Sequence, residues 1–282
     1  MSQTLKSLLA REKSVVAPGV GDALTALMVE KAGFSCVYVS GYQVSATMGY
    51  PDMGLITMTE MAHQIDKICS AVKIPVFADA DTGYGNVLNV ARTVKEFERV
   101  GVSAIHIEDQ VFPKKCSRLA GKALVSIDEM CGTVKAAVDA RKSDHFMIVG
   151  RTEAASCVGF DEAVIRANRY LEAGADAVMY QSPQSIDDLK KFRALVPGRL
   201  VVTLGSWDLD IDVKGVQELG YEVVLIPNAT MRASIKAVTA CLDLLKATGD
   251  INKIGMTIVP NAVRDNLLKV EEYAAREKKY LF

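Results

Sequence analysis

The sequence has no CxxC pair, no apolar run long enough to cross a bilayer, only three histidines and a single tryptophan. Each scarcity removes a class. Without cysteines at metal-ligand spacing there is no zinc-finger or redox motif. The six cysteines (Cys36, Cys69, Cys116, Cys131, Cys157, Cys241) are scattered through 282 residues. In a chain of this size that usage points to reduced thiols in a cytosol-like compartment. A charge excess is also lacking, since 33 basic residues nearly balance 34 acidic ones. That balance gives no reason to expect nucleic acid or a membrane surface as partner. The opening stretch MSQTLKSLLAREKSVVAPG has no apolar centre of the secretion-signal kind. We therefore expect a cytoplasmic globular protein that acts on or binds a small molecule.

What is present is an alternation. Runs rich in β-branched residues recur eight times: VVAPGV (15–20), CVYVSG (36–41), VFADAD (76–81), AIHIED (104–109), MIVGRT (147–152), AVMYQS (177–182), LVVTLG (200–205) and VVLIPN (223–228). Each begins continuously apolar, as a strand buried on both faces must. Helix-period segments separate them; NVLNVARTVKEFERVG sets Val87, Val90, Ala91, Val94 and Phe97 on one face. Gly33, Gly101, Gly174 and Gly220 each follow closely on a glutamate and read as helix stops. Eight strand–helix units predict an α/β fold of the (β/α)8 TIM-barrel type over 1–282, with a doubly wound sheet as the rival. Residues 250–282 exceed what closing a barrel requires. They are expected to form a C-terminal helical arm that packs on a neighbouring subunit.

In such a barrel the chemistry sits at the C-terminal strand ends. Read in order, these carry Ser40-Gly41-Tyr42 with Asp52 in the following loop, then Asp79 and Asp81, Glu108 and Asp109, and Arg151 and Glu153. One carboxylate after a strand is more often a helix N-cap. Several converging ones repel unless a cation sits among them, and a hard divalent ion, Mg2+ or Mn2+, suits oxygen ligands. His106, inside the fourth run, reads as a packed core residue; His63 and His145 read as helix and loop positions. DTGYGN (81–86) contains G-x-G without the rest of a dinucleotide fingerprint and reads as a tight loop. Arg151 needs an anion, either a structural carboxylate or a substrate carboxylate or phosphonate.

SGYQVSATMGYPDMG, ADADTGYGN, HIEDQVFPK and the R-T-E of the fifth run follow one another in an order that resembles the isocitrate lyase/phosphoenolpyruvate mutase superfamily over nearly the whole chain. The resemblance implies a modified barrel whose last helix is exchanged between subunits, giving a homotetramer built from helix-exchanged dimers. It implies Mg2+ near Asp79, with Asp52, Asp81 and Glu108 binding it directly or through water. It also implies that Ser40, Gly41, Tyr42 and Arg151 hold the 2-oxo carboxylate end of a small carboxylate substrate. Lyases of this superfamily carry K-[KR]-C-G-H after the fourth strand. Here Lys114-Lys115-Cys116 is followed by Ser117-Arg118. Mutases lack that cysteine and often have asparagine-histidine after the eighth strand, where this chain has Asn228-Ala229. Lyases tend to glutamate and asparagine at the ends of strands six and seven, where Gln181 and Thr203 stand.

This mixture favours a Mg2+-dependent carbon–carbon lyase for a 2-hydroxy di- or tricarboxylate of the 2-methylisocitrate or dimethylmalate kind. Cys116, Lys114, Glu108 and Arg151 are its expected catalytic residues. Asp79, Thr203 and Asn228 join the substrate-holding set. A thiol among Lys114, Lys115 and Arg118 suits a proton donor to the departing carbanion; the bland alternative is an inert loop cysteine. The rival activities are a phosphonopyruvate-type mutase or hydrolase and an oxaloacetate decarboxylase or hydrolase. The rival class is a metabolite-binding barrel without turnover.

Overall fold

The structure is a computed structural model that describes residues 3–116, 119–205, 209–255 and 257–281. It divides into two compact units, Met1–Ala229 and Thr230–Phe282. The first is a closed barrel of eight parallel strands in sequence order, so the doubly wound alternative is excluded. The strands are β1 (Val15–Val20), β2 (Val37–Val39), β3 (Val76–Asp79), β4 (Ala104–Glu108), β5 (Met147–Thr152), β6 (Ala177–Tyr180), β7 (Leu200–Thr203) and β8 (Val223–Ile226). β8 pairs with β1 from Val15↔Val223 to Pro18↔Ile226, which closes the ring.

Helix α1 (Leu5–Leu9) precedes the barrel. The crossovers are α2 (Ala23–Lys31), α3 (Gly41–Thr47) with α4 (Met58–Ala71), α5 (Val87–Arg99), α6 (Ile127–Ala140), α7 (Ala154–Cys157) with α8 (Phe160–Glu172), α9 (Ile186–Leu195) and α10 (Val213–Glu218). Val90, Val94 and Phe97 lie on the buried face of α5 together with Thr93, whereas Val87 and Ala91, expected on it, are exposed and half-buried at the start of the helix. Gly33, Gly101, Gly174 and Gly220 end helices at φ 88, 99, 104 and 91°, the left-handed region that glycine enters without a Cβ clash.

Side chains alternate along each strand. Val76, Ala78, Ile105, Ile148, Val178 and Val202 face the helices in the larger core. Tyr38, Phe77, Ala104, Met147, Val149, Met179, Val201 and Leu225 fill the barrel interior, where Leu5 and Leu8 of α1 join them. Continuing the inward set by one more step brings Asp79, Glu108, Arg151, Gln181 and Thr203 to the C-terminal mouth. The sequence runs overshoot most strands by two or three residues, because Ser40-Gly41 and Ala80-Asp81 already turn out of the ladder.

The second unit holds α11 (Ala229–Thr248), whose first residue belongs to the barrel unit, then α12 (Ile251–Ile254), α13 (Asn261–Leu267) and α14 (Val270–Tyr280). None of these helices has a buried residue. Ile235, Val238, Leu242 and Leu245 recur along α11 at the spacing of one helix face, and all are exposed.

Candidate active site

Strand register sets the first contact at the mouth. Glu108 and Arg151 are partners across β4 and β5, and Arg151 Nη2 lies 3.0 Å from Glu108 Oε2. The same guanidinium donates from Nε to Glu153 Oε1 at 3.1 Å. Asp79, at the end of β3, accepts from Asp81 N at 3.0 Å and from Gly41 N at 3.3 Å. Gly41 opens α3, and a Cβ there would stand 2.8 Å from Asp79 Oδ2, so any other residue would have to displace that carboxylate. Below, the Tyr38 hydroxyl meets His106 Nε2 at 2.9 Å and donates to Asp79 Oδ2 at 3.3 Å.

Burial and charge give these groups unequal protonation. His106 is pushed down to about 4 by burial, so it is neutral near pH 7. Burial acts on Asp79 in the opposite sense, but His106 when protonated, Lys114 and Arg151 outweigh it and hold Asp79 below the ordinary carboxylate range. Burial lifts Asp81 to about 6, with Lys114 opposing and Asp79 and Asp52 adding to the rise. Glu108 is raised by burial despite Arg151 and Lys114. Burial would raise Glu153 too, yet Arg151 and Lys122 keep it low.

Lys114, expected in a cationic field around Cys116, sends its buried ammonium to Asp52 and to within 2.9 Å of Asp81 Oδ1. Those two carboxylates hold the ammonium charged against the opposing effect of burial, with Asp79 and Glu108 adding. Lys115 Nζ turns to the Gly121 carbonyl at 2.9 Å. Cys116 is partly buried, and its backbone N–H donates to the Asp52 carbonyl at 3.1 Å. Ser117 and Arg118 lie outside the described residues.

The expected substrate groups divide. Ser40 is buried at the N-cap of α3, while Tyr42 is exposed. Thr203 donates to Gln181 Oε1 at 3.0 Å, giving β6 and β7 a neutral polar end. Asn228 Oδ1 is buried without a hydrogen-bond partner.

Gln110 and the half-buried Lys122 were not among the expected site residues, and Asp109, read at the end of the fourth strand, turns away from the site. Gln110 donates to Glu108 Oε1 at 2.8 Å and to the Lys115 carbonyl at 2.8 Å, and accepts from Lys115 N at 3.0 Å. Lys122 donates to Glu153 Oε2 and to Ser156 Oγ, both at 2.7 Å. Asp109 points away from the mouth and collects the Thr152 hydroxyl, Glu153 N, Arg166 and the Tyr170 hydroxyl. Only the adjacency of E-D-Q hinted at Gln110; no spacing signal marked Lys122 or separated Asp109 from its neighbours. A cleft of about 470 Å3 opens beside Glu108 and Gln110. Another of about 580 Å3 lies at the opposite barrel end, near Cys69, Lys73 and His145, and holds none of these carboxylates.

The donor set fits a hard divalent cation. Asp52, Asp79, Asp81 and Glu108 offer carboxylate oxygens alone, and Asp81 Oδ1 is buried with no aligned hydrogen bond despite its nearness to Lys114. Among the described residues no three acidic, histidine or cysteine side chains already converge as ligands. Lys114 and Arg151 stand between the carboxylates instead.

A closed (β/α)8 barrel whose mouth gathers carboxylates, a buried arginine and a cysteine-bearing loop is the architecture of an enzyme for small acids. Residues 5–245 match the family model described as phosphoenolpyruvate phosphomutase. The chain belongs to that family, within the isocitrate lyase/phosphoenolpyruvate mutase superfamily. It is 39% identical to the 2,3-dimethylmalate lyase of Eubacterium barkeri over 98% of this chain and 96% of that one. It is 43% identical to the 2-methylisocitrate lyase of Aeropyrum pernix over 83% of this chain and 76% of the other. The phosphoenolpyruvate phosphomutase structure from Streptomyces platensis subsp. rosaceus superposes with a TM-score of 0.94 at 34% identity, covering 98% of each chain.

Proposed function

We propose that this enzyme is a Mg2+-dependent lyase that cleaves the C2–C3 bond of a 2-hydroxy di- or tricarboxylate of the 2-methylisocitrate or 2,3-dimethylmalate kind. The products are a 2-oxo acid and a carboxylate. The observation that carries this reading is the backbone hydrogen bond from Cys116 N–H to the Asp52 carbonyl, which ties a thiol-bearing segment to the residue that supplies one of the carboxylates. The two lyase relatives support the same reaction class.

Asp79, Asp52, Asp81 and Glu108 would hold Mg2+, which supplies charge stabilisation for the 2-oxo acid fragment. Arg151 and the Ser40–Tyr42 turn orient the substrate's C1 carboxylate. The array's carboxylates accept the hydroxyl proton. Cleavage leaves the electron pair on C3, conjugated with its carboxylate, and Cys116 delivers a proton from Sγ to that carbon. Thr203, Gln181 and Asn228 face the departing fragment with hydroxyl and amide groups. Lys114, which holds Asp52 and Asp81 here, would be free to meet the substrate if a cation took over those carboxylates.

Mutase or hydrolase action on phosphonopyruvate is the second reading, favoured by Asn228 with its unpartnered Oδ1 and by the phosphomutase neighbour. The assembly we assign is a cytoplasmic homotetramer of helix-exchanged dimers, with 250–282 as part of the arm. The exposed apolar stripe of α11 supports it, and no helix among the described residues is long and apolar enough to cross a membrane.

The test is an NMR screen with Mg2+ of 2-methylisocitrate, 2,3-dimethylmalate, oxaloacetate and phosphonopyruvate, run beside Cys116→Ser. Release of a 2-oxo acid from a hydroxy diacid, lost in the variant, establishes the lyase. Turnover of phosphonopyruvate or oxaloacetate that survives the substitution overturns it.

A further inference from the structure

The segment that carries Cys116 is tied at both of its roots to the same three side chains. Glu108, Arg151 and Glu153 form a continuous array across β4 and β5, with Arg151 between the two glutamates. At the entry root Gln110, 3% exposed, grips the backbone of Lys115 from both sides, accepting from its N–H and donating to its carbonyl. The same amide nitrogen donates to Glu108 Oε1. At the exit root the Lys122 ammonium, with its side chain 5% exposed, donates to Glu153 Oε2. The two arms of the segment meet in the Gln110↔Leu124 bridge and in the bond from Val111 N to the Ala123 carbonyl at 2.8 Å.

We propose that Gln110 and Lys122 are positioning residues that set where Cys116 stands relative to the Glu108–Arg151–Glu153 array. Gln110 holds the backbone of Lys115, the residue before Cys116, and is one hydrogen bond from Glu108, so a shift of either is passed to the other. A primary amide suits this place because it donates and accepts together. Glutamate has the same shape but lacks the two donors, and would set a second carboxylate against Glu108. Lys122 clamps the other root through a buried charge-assisted bond, and arginine keeps that bond where methionine cannot. The inference rests on the proposed role of Cys116 for its catalytic consequence, but the placement of the thiol is measurable without turnover.

The experiment is iodoacetamide labelling of the full-length Mg2+-loaded protein, with and without oxalate as a planar stand-in for a 2-oxo acid. Cys116 modification is followed by peptide mass spectrometry and normalised to Cys241. Gln110→Glu, Gln110→Ala, Lys122→Met and Lys122→Arg are compared with the parent. In the first three, Cys116 should label about tenfold faster, the equivalent of one hydrogen bond to a charged group, and oxalate should no longer change the rate. Lys122→Arg should restore the parent pattern, and kcat should fall in the other variants with KM little moved. Parent-like labelling in Gln110→Glu and Lys122→Met overturns the proposal, as does an equal rise at all six cysteines, which would mean general loosening. A parent enzyme that turns over no hydroxy diacid yet shows this labelling pattern removes the lyase reading and leaves the positioning intact.

Discussion

Glu108 and Arg151 face one another as register partners on adjacent strands, and Arg151 is shared between Glu108 and Glu153. A single guanidinium thus fixes two buried carboxylates that repel each other. Arg151→Lys keeps the charge but loses the fork that reaches both. We expect kcat/KM to fall by at least about a hundredfold, some 2.7 kcal/mol of transition-state stabilisation. Steady-state kinetics decide this, and a loss under about threefold, below 1 kcal/mol, would remove Arg151 from substrate binding.

The carboxyl of Asp81 stands at about 6 in this state, raised by burial. A raised carboxyl favours the protonated folded form. Its contribution to stability is fully present below the ordinary carboxylate range and is lost as pH rises through about 6. A divalent cation needs the ionised form, so the Mg2+-induced gain in Tm should grow as pH rises through that value. Thermal unfolding with and without Mg2+ from about pH 5 to pH 8 reads it. A gain that stays flat with pH takes Asp81 out of the cation site.

Gly41→Ala should leave the barrel folded but press a methyl onto the Asp79 carboxylate from 2.8 Å. The neighbour that must yield is a proposed ligand, so we expect Mg2+ affinity to drop about tenfold, as when a ligand's supporting contact is disturbed. Calorimetric titration of the cation measures it. Unchanged affinity would show that Asp79 tolerates displacement and lies outside the ligand set.

Asp109→Ala should behave oppositely. It strips the partner from Arg166, Thr152, Tyr170 and the Glu153 amide without touching the mouth. A loss of about 3 kcal/mol or more is expected from denaturant unfolding, as for a buried pair broken from one side. If KM moves more than stability does, Asp109 belongs to the site and not to its scaffold.

The strands were legible because parallel barrel strands are apolar on both faces and their runs are short. Their C-terminal ends were legible as chemistry because inward alternation extends naturally from Tyr38, Phe77 and His106 to the polar mouth. His106 was rightly read as packed, but its contact with Tyr38 joins residues far apart in sequence and depends on closure of the ring. The ion pairs of Lys114 with Asp52 and Asp81 join residues far apart in sequence, which sequence distance does not report. Gln110 and Lys122 carry no motif of their own, since their roles are hydrogen bonds to backbone and to side chains from another strand.

The floor beneath the mouth has a consequence for the order of events. His106 is uncharged at neutral pH, so no positive charge reaches the array from below. By formal charge among the described residues, Asp52, Asp79, Asp81, Glu108 and Glu153 are set against Lys114, Lys122 and Arg151, an excess of two negative charges once Glu108, raised by burial, gives up its proton. A polycarboxylate arriving alone meets that deficit head-on, whereas one divalent cation cancels it. Binding should therefore be ordered, cation before acid, and the acid's apparent affinity should climb with cation concentration until the array is neutral.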